Sequence, residues 1–157
     1  IYSGKGPHID ALTHDDSQEI GSIDDEAWMD VLRINSIAPI MLTQDLLANM
    51  ENGGAKKIIM MTSEMASIEE MSRAGDVAYR TSKTILNAAT KCVALHLQLK
   101  DYKVIALHPG WVRTRMGSKS ASYSVGESAN KMMGVIGKLS AKQNGQYLDL
   151  NGGAMPW

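Results

Sequence analysis

The order of extended and helical patterns predicts an α/β domain built on a parallel sheet, and three observations carry that class. Residues 57 to 62 form a continuous apolar run, as expected of a strand covered on both faces. Two more extended segments follow at 102 to 108 and 146 to 150. Helical periods at about 79 to 99 and 125 to 139 separate these strands, so each returns to the sheet by a crossover and lies parallel to the last.

Taken in order, residues 1 to 22 read as loop, with Gly4, Gly6, Pro7 and the polar His14-Asp15-Asp16-Ser17 cluster. Acidic Asp24, Asp25 and Glu26 complement a helix N-terminus, and Ser22 with Asp25 resembles a capping box. Trp28, Val31, Leu32, Ile34, Ala38, Met41, Leu42, Leu46 and Met50 keep a helical period that Pro39 should kink and Asn52-Gly53-Gly54 should end. The strand at 102 to 108 breaks at Pro109-Gly110. Residues 113 to 124 are a Ser-, Gly- and Arg-rich loop, a candidate lid beside a single domain spanning 1 to 157.

A chain of 157 residues with 44% hydrophobic content is one domain's worth of material. Sixteen basic against 17 acidic residues give no electrostatic footprint for nucleic acid or an anionic membrane. The single cysteine, Cys92, excludes an intrachain disulfide and points to a reducing, cytoplasmic setting; its apolar neighbours predict a buried thiol. No stretch approaches a membrane span, and the start carries no pattern of a secretion signal. Eleven methionines without one phenylalanine predict an adaptable core.

The chemistry sits in the middle of the chain. Tyr79 and Lys83, four residues apart on one helix face, place an ammonium beside a phenol, which should stabilise phenolate and make the tyrosine a usable general acid/base. Ser63, at the C-terminal end of the apolar strand, stands where open α/β sheets place their sites, with Thr62 as its rival for hydrogen bonding a carbonyl. Asn35, beside the Pro39 kink, either satisfies a freed backbone group or serves the site. His8, Asp10, His14, Asp15 and Asp16 share one polar loop without a regular ligand pattern, so no metal is expected. His96 and His108 lie in apolar periodic segments and read as satisfied core or edge histidines.

Asn35 in Asn35-Ser36-Ile37-Ala38-Pro39, Ser63 after its strand, Ala78-Tyr79-Arg80-Thr81-Ser82-Lys83 and Pro109-Gly110-Trp111-Val112-Arg113-Thr114 fall in a fixed order. With that order the chain resembles the C-terminal two-thirds of a short-chain dehydrogenase/reductase, and is most similar to the sniffer-like and C-factor-like carbonyl reductases. The resemblance implies the C-terminal part of a doubly wound, Rossmann-like parallel sheet lacking the N-terminal dinucleotide-binding strands. It implies NADP or NAD as cofactor and a small carbonyl or alcohol substrate. Tyr79 would be the acid/base, Lys83 would lower its pKa and touch the nicotinamide ribose, Ser63 would polarise the carbonyl, and Asn35 would hold a water linked to the lysine. Tyr79, Lys83, Pro109, Gly110, Val112 and Thr114 would be the cofactor-binding residues, with Val112 and Thr114 holding the nicotinamide carboxamide and the phosphates.

Two departures from the family pattern stand out. The stretch from Ser63 to Tyr79 is a few residues longer, through the charged 69 to 76 segment, and Arg115 replaces a frequent Asp. The glycine-rich turn that receives pyrophosphate on backbone amides is also missing, since Gly4-x-Gly6 lacks the third glycine and a preceding strand. The chain is therefore expected to be a piece of a longer enzyme, inactive alone. Its bare strand edge is expected to make it a homodimer or higher oligomer. The rival reading is a non-catalytic piece acting in oligomerisation or signalling.

Overall fold

The computed structural model describes residues 20–157. The first helix, α1 (Asp25–Leu32), runs through a π-helical turn (Arg33–Ile37) into α2 (Ala38–Glu51). Strand β1 (Lys57–Met61), helix α3 (Val77–Leu97), strand β2 (Lys103–Leu107), helix α4 (Val125–Lys138) and the two-residue strand β3 (Tyr147–Leu148) follow. The three described strands lie in the order β1-β2-β3, all parallel, in registers such as Met60↔Ala106 and Ala106↔Tyr147. That is the predicted alternation, with the last strand shorter than expected.

Period-2 alternation splits the sheet between two cores. Ile58, Met60 and Val104 face α3, where they meet Leu86, Ala94 and Leu97. Ile105, Leu107 and Leu148 face the other way, against Leu139 and the Met132, Val135 and Ile136 side of α4. Val104 through Leu107 have no exposed surface at all, so β2 is the anchor of both cores. Truncating Leu107 to Ala there should cost about 2–5 kcal/mol. Strand β1, by contrast, pairs on one side only among the described residues, and Met61 is 42% exposed.

Several local expectations need correction. The N-cap of α1 is Asp24, whose carboxylate accepts from the Ala27 amide at 3.0 Å, so the Ser22 capping box does not form. The irregularity expected at Pro39 lies one turn earlier. Proline lacks the N–H that an α-helix would aim at the Asn35 carbonyl, and the chain widens into the π turn instead, with the Ala38 amide bonding Arg33 O. Cys92 is exposed rather than buried, and of the core or edge positions expected for His96 the exposed one is found, because the inward stripe of α3 runs Leu86, Thr90, Ala94, Leu97 and both residues fall between its rungs. Most of the loop predicted over residues 1 to 22, with Gly4, Gly6 and the His8 to Asp16 cluster, lies outside the described residues.

Candidate active site

The C-terminal ends of β1 and β2 open into a cavity of about 570 Å³. Ser63, Tyr79, Pro109, Gly110, Val112 and Thr114 all line it, so six sequence-predicted positions from three segments meet in one place. Thr62, His108 and Trp111 line it as well.

Each position has a local cause. Thr62 continues the β1–β2 ladder by donating its amide to Leu107 O at 3.0 Å, which leaves Ser63 as the first residue free of the sheet. Ser63 then caps the short 3₁₀ turn at Glu64–Ala66, its Oγ accepting from the Met65 amide at 3.2 Å. That bond occupies an oxygen lone pair and leaves the hydroxyl proton to be donated. A side-chain hydrogen bond joins Ser63 to the phenol of Tyr79, in the first turn of α3. On the far wall, Gly110 has φ +78, and a Cβ there would lie 3.0 Å from the Tyr123 ring, so only glycine makes this turn. Gly117 packs backbone to backbone against Val112, where any Cβ would overlap the Val112 carbonyl oxygen, and its amide donates to Thr114 Oγ1 at 3.0 Å.

The candidate lid is tied at both ends. Arg113 and Tyr123 amides bond Tyr123 O and Trp111 O, and the Arg113 guanidinium reaches Ala121 O at 2.8 Å and Glu127 at 3.3 Å. The longer stretch before Tyr79 is solvated over Glu69 to Ala74, as its charge predicts, and returns to the cavity at Arg73 and Asp76.

Lys83 and Asn35 do not reach the cavity wall. The Lys83 ammonium lies 5.9 Å from the centre of the Tyr79 ring and donates to Met61 O at 3.0 Å. Asn35 approaches α3 from behind: its Nδ2 donates to Ser82 Oγ at 3.1 Å, and Ser82 Oγ donates to Tyr79 O at 2.7 Å. Ser36 Oγ donates to Ser82 O, and Trp28 Nε1 to Thr81 Oγ1. The π turn therefore braces the helical turn between Tyr79 and Lys83.

Electrostatics reverse one expectation. Burial pushes the Tyr79 phenol above the ordinary tyrosine value, the Ser63 hydrogen bond lowers it, and Asp76 raises it again; the result is upward. The lowering that Lys83 was expected to exert is not what sets it. The lysine is itself pulled below its usual value by burial, which weakens its hold on a positive charge. His108 was read as a satisfied histidine, and it is one, with Nδ1 accepting from the Glu64 amide at 3.0 Å, yet it also lines the cavity. Its position directly before Pro109-Gly110 at a strand end was the available signal.

Comparison with known proteins agrees with this geometry. Residues 9–124 match the short chain dehydrogenase family. C-signal of Myxococcus xanthus is 30% identical over 138 residues, covering 88% of this chain and 83% of that protein. Among solved structures, the carbonyl reductase Sniffer of D. melanogaster superposes with a TM-score of 0.86 at 32% identity, and an NADPH-bound carbonyl reductase from chicken fatty liver with 0.81 at 30%. In both cases 97% of this chain is covered but 64% of the other, so the chain spans less than two-thirds of their length. The ordered motifs, the parallel sheet and a family match across most of the chain agree: the chain belongs to the short chain dehydrogenase family.

Proposed function

We propose that this chain carries the proton-transfer and nicotinamide-side part of an NAD(P)H-dependent carbonyl reductase that turns a small ketone or aldehyde into an alcohol. The observation that carries it is the Ser63–Tyr79 hydrogen bond at the wall of a cavity shared with the Pro109-Gly110-Val112-Thr114 turn.

A nicotinamide ring fits this donor set. The Thr114 hydroxyl, already accepting from the Gly117 amide, keeps its proton for an acceptor, and Gly110 lets the turn pack closely on Tyr123 beside it. Among the described residues no glycine-rich turn stands between a strand and a helix to receive a pyrophosphate. When bound, the cofactor would supply the hydride. The chain's own residues would supply orientation and the proton: Ser63 Oγ–H donates to the substrate carbonyl oxygen, sharpening its polarisation, and Tyr79 passes its phenolic proton to the same oxygen as charge develops there.

A phenol held protonated by burial favours reduction at neutral pH, since the proton to be given is always in place. The reverse oxidation needs phenolate and should speed up with pH. Lys83 and Asn35 support the face of α3 from which Tyr79 projects.

The test is ketone-dependent NADPH and NADH oxidation, with Tyr79→Phe beside the parent in whatever length of the protein turns over. Loss of about two orders of magnitude or more with the fold retained is expected. Activity within a few-fold of the parent would remove Tyr79 from the role.

A second reading, a non-catalytic piece acting through association or signalling, is favoured by one comparison: C-signal matches over 83% of its own length. NADPH titration followed by nicotinamide fluorescence separates the two, since the second reading expects no saturable binding.

A further inference from the structure

The peptide group joining Ser63 to Glu64 is gripped at both of its polar ends. Its carbonyl accepts from the Tyr147 hydroxyl at 2.5 Å, and its amide donates to His108 Nδ1 at 3.0 Å. These partners come from β3 and from the residue after β2, far from Ser63 in sequence and fixed by the sheet. Rotating that peptide plane breaks both bonds together, so the ψ angle of Ser63 is set from outside its own segment.

Tyr147 is itself held. It is 1% exposed, and the Trp157 ring packs against its ring at 5.6 Å between centroids, tilted by 39°. The tail doubles back along β3 through Met155 N to Tyr147 O and the Leu148↔Ala154 bridge. Trp157 O then accepts from the Ile68 and Glu69 amides at 3.0 and 3.1 Å. The segment that starts at Ser63 is thus pinned at its head by Tyr147 and His108, at its middle by Thr84 Oγ1 donating to Ala66 O, and at its foot by Trp157.

We propose that Tyr147 and His108 are positioning residues that fix the Ser63–Glu64 peptide plane and so aim the Ser63 hydroxyl at the carbonyl site. The proposal rests on the reading of Ser63 as the group that polarises the carbonyl. Neither residue touches the reacting atoms in this scheme. Burial keeps the Tyr147 hydroxyl protonated far above neutral pH, so the donor is constant.

The test compares Tyr147→Phe, His108→Leu and His108→Asn in this chain, by amide hydrogen exchange read residue by residue and by kinetics. Tyr147→Phe and His108→Leu should each speed exchange of the Glu64 amide about tenfold or more while Ile59 and Leu86 keep their protection. His108→Asn, which returns an acceptor near Nδ1, should restore most of it. Where turnover is present, the first two variants should lower kcat by up to about a hundredfold with KM little changed, because a misaimed donor fails in the transition state.

Unchanged Glu64 exchange in Tyr147→Phe would overturn the proposal, and so would loss of protection spread evenly over β1 and α3, which would mean a general packing role. Absence of turnover in the parent counts against the carbonyl reductase reading instead, and the exchange pattern still decides whether the peptide plane is pinned.

Discussion

Replacing Thr62 by valine tests the most unusual polar atom in the site. Thr62 lines the cavity but is 4% exposed, its amide is tied to Leu107 O, and its buried Oγ1 has no hydrogen-bond partner among the described residues. A buried hydroxyl without a partner costs roughly 1–3 kcal/mol in proteins. Valine has the same shape, suits a strand end and removes only that cost. Thr62→Val should therefore stabilise the ligand-free chain by about 1–2 kcal/mol, a rise in melting temperature of about 2–8 °C at this chain length. Differential scanning calorimetry and urea titration measure it. The same experiment repeated with saturating NADPH or substrate carries the functional content: if the bound molecule supplies the missing partner, the gain shrinks or reverses. A loss of about 1 kcal/mol or more in the ligand-free valine variant would refute the reasoning, because it would show the hydroxyl already bonded.

Ser63→Ala should raise the Tyr79 pKa further, since it removes the one interaction that lowers it, whereas Lys83→Met should leave that midpoint nearly in place; tyrosinate absorbance against pH decides both, and a fall in Ser63→Ala would contradict the assigned hydrogen bond. His108 is held below its ordinary value of 6.5, chiefly by burial, while Glu64 and Asp149 pull the other way. A depressed pKa contributes stability above 6.5 that is lost as pH falls through the folded-state value, so unfolding should ease on acidification and His108→Asn should flatten that limb; an identical acid limb in both proteins would count against it. The open side of β1 and the exposed Ile37 of the π turn with Met41 and Leu42 of α2 should make the chain a dimer or larger in light scattering, and a monodisperse monomer would defeat that expectation.

What was legible in the sequence follows from period and punctuation. The apolar run at 57 to 62 and the alternating helices gave a parallel sheet because only a strand covered on both faces is apolar throughout. Glycine and proline marked the turns well, and Gly110 shows why: its φ is a conformation that side-chain-bearing residues avoid. Caps and helix faces were less legible. Ser22 and Asp24 are both good N-cap residues, and only the geometry shows that Asp24 reaches Ala27. Cys92 sits among apolar neighbours in sequence but on the outer side of α3, since helical neighbours are three and four residues away rather than one.

The site shows the same division more sharply. Spacing alone placed Tyr79 and Lys83 on one helix face and Ser63 at a strand end, and these positions hold. What spacing cannot carry is solvation, and here solvation decides the chemistry. An ammonium near a phenol yields phenolate only if its attraction exceeds the cost of taking that phenolate out of water. Tyr79 is 8% exposed, and the Lys83 ammonium donates to Met61 O beside it. Desolvation then outweighs the charge, and the phenol keeps its proton. Such a tyrosine gives a proton readily to a developing alkoxide and takes one back only at high pH. The protonation state in which the proposed acid/base rests at neutral pH thus follows from the depth at which α3 buries its first turn, a part of the helix that Asn35, Ser36 and Trp28 brace through Ser82 and Thr81.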